Sequence, residues 1–134
     1  MVDIILIGQV STADPASCSV RVTFAERDNL VSAPLPVLMP GGWGRGNAVP
    51  EPGETVLCVF LDRSYSAGFC LGTYYGSKET APGNINQHGV WFEDGSYVFY
   101  DRSARLLTIK ASGGVKIEGD LTVTGSVTSS GGVL

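Results

Sequence analysis

The chain has 134 residues, of which 43% are hydrophobic and 16% charged, and its 9 Lys and Arg against 13 Asp and Glu give a formal net charge of -4. That hydrophobic content is too high, and the charge too low, for a disordered chain, and no apolar run reaches the roughly 18 to 20 residues that cross a bilayer. Because the first residues, MVDIILIGQV, lack a basic region, we expect no cleaved signal peptide.

The first 76 residues predict about five short strands separated by Gly- and Pro-rich turns. Residues 3–10 are β-branched and aliphatic, and residues 11–17 predict a turn. Residues 18–24 alternate between apolar and polar side chains, as a half-buried strand does. Two prolines hold residues 33–37 extended.

Two further apolar segments complete this region. Residues 56–61 form a continuous apolar run, which predicts a strand buried on both faces. Residues 68–75 predict the next strand, with Gly72 as the candidate for a bulge or a point of close approach. This number of short strands favours a small barrel or sandwich over residues 1–76, and residues 77–88, rich in Pro, Gly and Asn, predict a linker.

A glycine-rich loop, residues 40–47, lies between these strands and carries Trp43 and Arg45. It matches neither common phosphate-binding glycine motif, and no helix follows to hold an anion. A tryptophan on a surface loop suits contact with another protein. We therefore predict that Trp43 and Arg45 form a partner-contact loop.

Beyond the linker, residues 90–93 and 96–101 are two β-rich runs that flank Asp94 and Gly95. An Asp-Gly pair in this position is a strong sequence indication of a tight hairpin turn. We therefore predict a β-hairpin at the start of the C-terminal region, residues 89–134.

From residue 107 to residue 127 every odd position is apolar or glycine, and every even position but one is polar. This register holds for about twenty residues, whereas an ordinary strand averages ~5 to 6 residues. Glycine recurs at positions 113, 119 and 125, six residues apart, as in a short repeat. The large apolar members of this row are Leu107, Ile109, Val115, Ile117, Leu121, Val123 and Val127.

An isolated ribbon of this kind is unstable, because ordering its backbone costs ~1 to 2 kcal/mol per residue while its apolar row stays uncovered. Copies wrapped about a common axis would bury every row and pair the strand edges. Two copies would leave edges open, and a larger ring would leave a hollow. We therefore predict a homotrimer with the seven large apolar residues as its core, in preference to an amyloid-like edge-pairing segment.

The sequence contains no constellation that favours catalysis, a cofactor or a metal. His88 is the only histidine and does not complete a zinc site or a catalytic triad, so we predict a loop residue in a Gln-His-Gly turn. Glu93 and Asp94 are adjacent and would point to opposite faces of a strand. We expect no enzyme activity, no cofactor and no metal site.

Three aromatic residues, Trp43, Tyr74 and Tyr75, are of the type that stacks on single-stranded nucleic acid. Residues 1–80, however, hold five basic and eight acidic residues, a net charge of -3, which opposes binding to phosphates. We expect no nucleic-acid partner.

The three cysteines, Cys18, Cys58 and Cys70, are far apart in the sequence and form no CxxC pair. Their odd number, without a signal peptide, argues against a secreted disulfide scaffold. Each lies in or beside an apolar stretch, so we predict buried, reduced thiols.

The order of these segments resembles baseplate assembly protein V, the central spike of contractile-tailed phages and tailocins. The resemblance covers nearly the whole chain. Its most specific motifs are Pro52-Gly53-Glu54 before an apolar strand, Gly68-Phe69 with Leu71-Gly72 after it, Asp94-Gly95, Tyr100-Asp101 and Leu107-Thr108-Ile109.

The resemblance implies an all-β protein: an OB-fold-like barrel at residues 1–76 that docks to the baseplate hub protein, and a trimeric, triple-stranded β-helix spike within residues 89–134. It also implies that the spike is pushed through the host outer membrane when the sheath contracts. The protein would be located in a virion or tailocin tail baseplate, assembled in the cytoplasm of the bacterial host.

One departure from the family concerns the tip. Longer members end in an apex whose His-x-His motif binds iron, and this sequence has no such pair. We therefore expect a separate PAAR-like tip protein at the C-terminal end, or a truncated chain. The alternative function is a β-rich carbohydrate-binding module or adhesin that uses Trp43.

Overall fold

The computed structural model describes residues 4–132 and is all-β, with nine strands and one short 3-10 helix among those residues. It divides into two compact units, Met1–Thr80 and Ala81–Leu134, at a point inside the predicted linker. The elements are β1 Ile5–Asp14, β2 Ser19–Phe24, the 3-10 helix Ala25–Arg27, β3 Leu30–Val31, β4 Leu35–Pro36, β5 Thr55–Phe60, β6 Gly68–Thr73, β7 Gln87–Trp91, β8 Tyr97–Asp101 and β9 Leu106–Lys110.

The first unit is one antiparallel sheet in the order β3-β2-β1-β5-β6, with β4 pairing to β2. Strand β1 is long because its first half pairs with β5 and its second half with β2. Gly8 lies near the point where the strand changes partner, and it is so close to β2 that a Cβ there would lie 2.6 Å from the Thr23 carbonyl oxygen and 2.7 Å from Phe24 Cδ1. A bulge follows between Val10 and Thr12.

The core of this unit lies on one face of the sheet. The rings of Phe24 and Phe60 pack edge to face at its centre, with centroids 5.6 Å apart. Alternate residues of β1, β2 and β5 point into it, so the predicted half-buried pattern of β2 is confirmed. The buried apolar residues are Leu6, Val10, Val20, Val22, Phe24, Leu35, Val37, Val56, Cys58, Phe60 and Cys70.

The ladders among the described residues do not close this sheet into a barrel. The segment after β4 spans the opening: Val37 forms a single parallel bridge with Cys70, and the Leu38 N–H donates to the Cys70 carbonyl at 3.0 Å. The Val37 N–H donates to the Cys18 carbonyl at 2.9 Å. The all-β prediction is confirmed. The sheet packs around one core, and the segment after β4 bridges its gap at Val37 and Cys70.

Two details of the predicted strands were wrong. The apolar run at 56–61 is not buried on both faces: Val56, Cys58 and Phe60 are buried, while Leu57 and Val59 are only half-buried, because an antiparallel sheet exposes one face to solvent. The predicted turn at 11–17 starts too early, since β1 continues to Asp14 along β2.

The predicted bulge near Gly72 is confirmed. The ladder between β5 and β6 shifts register between Leu57 and Cys58, so that Leu71 has no partner on β5. Gly72 has a φ of +124°, which an L side chain rarely adopts. The glycine therefore lets β6 bend at this point.

The second unit contains a three-stranded antiparallel meander, β7-β8-β9. The predicted hairpin is confirmed: the Phe92 N–H donates to the Ser96 carbonyl at 2.8 Å, and Gly95 takes a φ of +88°. Strand β7 begins at Gln87, so the last two residues of the predicted linker belong to the sheet. His88 therefore lies in a strand and not in the predicted turn.

After β9, residues 111–132 form no strand ladder within the described part of the chain. The alternation of apolar and polar residues continues from β9 in the sequence, but a turn follows the strand, in which the Gly114 N–H donates to the Ala111 carbonyl at 3.0 Å. Within residues 4–132 no helix is long and apolar enough to span a membrane.

Candidate functional site

The predicted trimer-core row is exposed along its whole length in the single chain. The exposed fractions of its seven large apolar side chains range from 48% at Val123 to 69% at Leu121. Such a regular series of half to two-thirds exposed aliphatic residues is unusual for a surface that stays in water. Leu107 and Ile109 lie on β9, and the other five lie in the segment without a ladder.

Two of the polar positions of this segment contact each other. Lys116 Nζ and Glu118 Oε1, two residues apart, are 3.0 Å from each other, and both side chains are at least 80% exposed. A contact between positions two apart is what an extended backbone with period two produces. The two charged side chains therefore lie on one side of the backbone at this point of the segment.

On one face of the meander, here called the aromatic face, the large side chains pack against one another. The rings of Trp91 and Phe99 are stacked at 5.3 Å, and Tyr97 packs against Phe99 at 5.2 Å. Lys110 Nζ lies 5.6 Å from the centre of the Tyr97 ring. Gly89 is opposite Phe99, where a Cβ would collide with the backbone of β8, so the glycine lets the strands approach closely.

On the opposite face, here called the aliphatic face, the apolar side chains remain partly exposed to solvent. The ladders place Val98 opposite both Val90 and Ile109, and Tyr100 opposite Leu107. Directly paired residues project to the same side of a sheet, so these five side chains form one surface, which His88 joins through its pairing with Tyr100. Val90 is 52% and Tyr100 46% exposed.

Only two members of the aliphatic face, Leu107 and Ile109, are predicted from the sequence. Val90, Val98 and Tyr100 were missed, because residues 90–92 and 97–100 are continuous apolar runs that do not distinguish the two faces of a strand. The register set by the Asp94-Gly95 turn is the information that would have aligned them with β9.

Two aspartates fix the turns of the meander. The carboxylate of Asp101 accepts hydrogen bonds from the Ser103 hydroxyl (2.7 Å), the Ala104 N–H (3.1 Å) and the Gln87 side chain (3.2 Å). These bonds hold the pKa of Asp101 at about 2, below the ordinary 3.8. Asp94 accepts from the Ser96 N–H, and this bond lowers the pKa of its carboxyl.

In the first unit, Trp43 is fully exposed and Arg45 is exposed on the glycine-rich loop, as predicted. Their role in partner contact stays a prediction. No group of three or more His, Cys, Asp or Glu side chains able to hold a metal ion occurs among residues 4–132. His88 is exposed on β7 opposite Tyr100.

A second exposed surface of this unit was missed from the sequence and is here called the uncharged sheet face. It lies on the solvent side of β1, β5 and β6, and none of the residues facing outward from β1 and β5 between positions 5–9 and 55–59 is charged. Val59 pairs with both Ile5 and Phe69, which makes the surface continuous. Its apolar members are Ile5, Ile7, Leu57, Val59, Phe69 and Leu71.

Cys58 and Cys70 lie directly opposite each other on β5 and β6 and are fully buried, while Cys18 is half-buried. All three are free thiols, and the prediction of burial is confirmed for Cys58 and Cys70. The hydrogen bond between the paired thiols and their burial raise the pKa of Cys58.

Comparison with models of protein families and with curated proteins finds no match for this sequence. The functional assignment therefore depends on the surfaces described above.

Proposed function

We propose that this chain is the central spike of a contractile tail baseplate and acts as a homotrimer. The observation that carries the proposal is the apolar row at 107–127, which is exposed throughout and has no cover within the described chain. A second and third copy of the same segment supply that cover by symmetry.

In the proposed spike, three copies of residues 107–127 wrap about one axis as a triple-stranded β-helix. Each copy pairs its free edges with its neighbours and turns its apolar row inward. Burial of a large aliphatic side chain is worth ~1.5 to 3 kcal/mol. The polar side, with Lys116 and Glu118, stays in solvent and keeps the shaft soluble.

The first unit is proposed to be an OB-type domain that docks to the hub. Its long β1 shared between β2 and β5, and its gap bridged at Val37 and Cys70, are features of a partly open five-stranded barrel. The loop of Trp43 and Arg45 and the uncharged sheet face are the surfaces available for contact with the hub protein.

The proposed action is mechanical, so no catalytic residue, cofactor or nucleic acid takes part. A continuous hydrogen-bonded shaft transmits the force of sheath contraction and pierces the host outer membrane. A PAAR-like tip protein caps the C-terminal end. The protein is assembled in the cytoplasm of the host bacterium and located in the baseplate of the virion or tailocin.

Native mass tests the proposal. Three copies of a 14.1 kDa chain give a particle of about 42 kDa. Light scattering on the purified protein is expected to return this mass upon dilution to the micromolar range. A folded monomer would contradict the spike.

The second candidate is a carbohydrate-binding module or adhesin, favoured by the complete exposure of Trp43 on a glycine-rich loop. An exposed indole ring is a common platform for stacking on another molecule. A monomer that binds glycans and loses this binding on Trp43→Ala would establish this candidate in place of the spike.

A further inference from the structure

The aliphatic face and the trimer-core row share two residues, Leu107 and Ile109. Both lie on β9, and the rest of the alternating segment follows after a turn in which the Gly114 N–H donates to the Ala111 carbonyl at 3.0 Å. The row therefore begins within the meander: its first two members belong to the third strand of a sheet surface that includes β7 and β8.

The ladder register fixes what accompanies these two residues. Val98 is hydrogen-bonded in register between Val90 and Ile109, and Tyr100 is in register with Leu107. A one-residue change of register would move all of them to the other face, and the stacked pair of Trp91 and Phe99 on that face excludes such a slip. Any partner that packs on Ile109 of β9 is therefore expected to contact Val98 and Val90 as well.

We propose that the whole aliphatic face points toward the threefold axis, so that Val90, Val98 and Tyr100 join Leu107 and Ile109 in the contact between copies of this chain. The inference rests on the proposed trimeric spike and extends its core from one strand to three. The occupant of the face is a second copy of the chain, because the face is continuous with the row that the other copies cover.

Size and charge support this choice of occupant. Five partly exposed side chains amount to an apolar patch on the order of a few hundred Å². A stable one-to-one interface needs about 800 Å² on each partner, so the face alone is too small, whereas the face and the row together form one long surface. The face contains no Asp, Glu, Lys or Arg, as expected for surface that is buried at an axis, and its one histidine, His88, lies opposite Tyr100.

The test compares Val90→Lys with Leu106→Lys in the full-length protein. Both residues are exposed apolar positions on outer strands of the meander, at 52% and 60%, but Leu106 pairs with Asp101 and lies on the side of the aromatic face. In a single chain each substitution replaces an exposed apolar side chain with a lysine, so the two are expected to affect the fold equally. In the proposed trimer, Val90→Lys brings three ammonium groups to the axis and Leu106→Lys leaves them in solvent.

We expect the protein concentration at which half of the trimer dissociates, measured by sedimentation velocity, to rise at least about tenfold for Val90→Lys and to change less than about threefold for Leu106→Lys. A tenfold rise in this concentration is a hundredfold change in the dissociation constant of a trimer, about 2.8 kcal/mol. Circular dichroism checks that each variant is folded. A cysteine pair gives a second measurement: Val90→Cys is expected to form cross-linked dimers with a short bismaleimide, and Leu106→Cys to give only the background of the parent protein.

The outcomes separate the two proposals. A trimeric parent in which both lysine variants assemble equally, with no cross-link at position 90, would overturn the inference and leave the spike intact. A monomeric parent would overturn the spike and the inference together.

Discussion

The hydroxyl of Ser112 donates to the carboxylate of Asp94 at 2.8 Å, across eighteen residues of sequence. The Ser112 N–H also donates to the Ser96 hydroxyl at 3.1 Å. The chain leaving β9 is thus held against the tip of the β7–β8 hairpin at the second residue after the strand. This contact sets the direction in which the alternating segment leaves the meander.

Removal of the Asp94 carboxylate is expected to release that anchor. In Asp94→Ala the amides of Ser96 and Ser112 should exchange with deuterium faster than in the parent. The Ser96 amide loses its acceptor, the Asp94 carboxylate. The Ser112 amide keeps its acceptor, the Ser96 hydroxyl, but the position of that hydroxyl is no longer fixed. Ser112→Ala is the matched control, since it removes only the longer-range bond. Unchanged exchange at Ser112 in Asp94→Ala would contradict the anchor.

The low pKa of Asp101 predicts a loss of stability in acid. Because the folded-state pKa of about 2 is below the ordinary value of 3.8, the stabilising effect of the carboxylate is fully present above pH 4 and is lost as the pH falls toward 2. Urea unfolding followed by Trp91 fluorescence, in a protein that carries Trp43→Phe, measures the effect on the meander.

The control for this prediction is Asp101→Asn, which cannot titrate. The difference in stability between the parent and Asp101→Asn should shrink between pH 4 and pH 2. A difference that stays constant over this interval would show that the hydrogen bonds to Asp101 do not favour its ionised form.

The close approach at Gly8 predicts a cost for any side chain there. In Gly8→Ala the new Cβ meets the Thr23 carbonyl and the Phe24 ring, so we expect a loss of ~1 to 3 kcal/mol in the free energy of unfolding, as for other overpacked sites. Gly44→Ala is the control, since nothing lies within 4 Å of its Cβ position. Equal denaturation midpoints for the two variants would contradict the close approach of β2 to Gly8.

The features that sequence predicted correctly are local ones. The alternation of β2 depends on neighbouring residues only, and the Asp94-Gly95 turn is encoded in two adjacent positions. The bulge beside Gly72 likewise follows from one residue that tolerates a positive φ.

The features that sequence missed depend on pairing between distant segments. The sequence predicts Gly89 in a turn with His88, whereas in the structure its lack of a side chain lets the backbone of β8 approach closely. The length of β1 follows from its two different partners, which no local pattern reveals. The aliphatic face needed the register of three strands before Val98 could be placed beside Ile109.

The most direct test of the trimeric spike is the native mass of Val123→Asp and Thr124→Asp measured side by side. The two residues are adjacent and both are exposed in the single chain, so a monomer would tolerate the two substitutions equally. In the spike, Val123→Asp places three unpaired carboxylates at the axis, and we expect the trimer to be weakened at least a hundredfold, about 3 kcal/mol, while Thr124→Asp remains a trimer of about 42 kDa. Identical masses for the two variants would contradict the inward assignment of the apolar row.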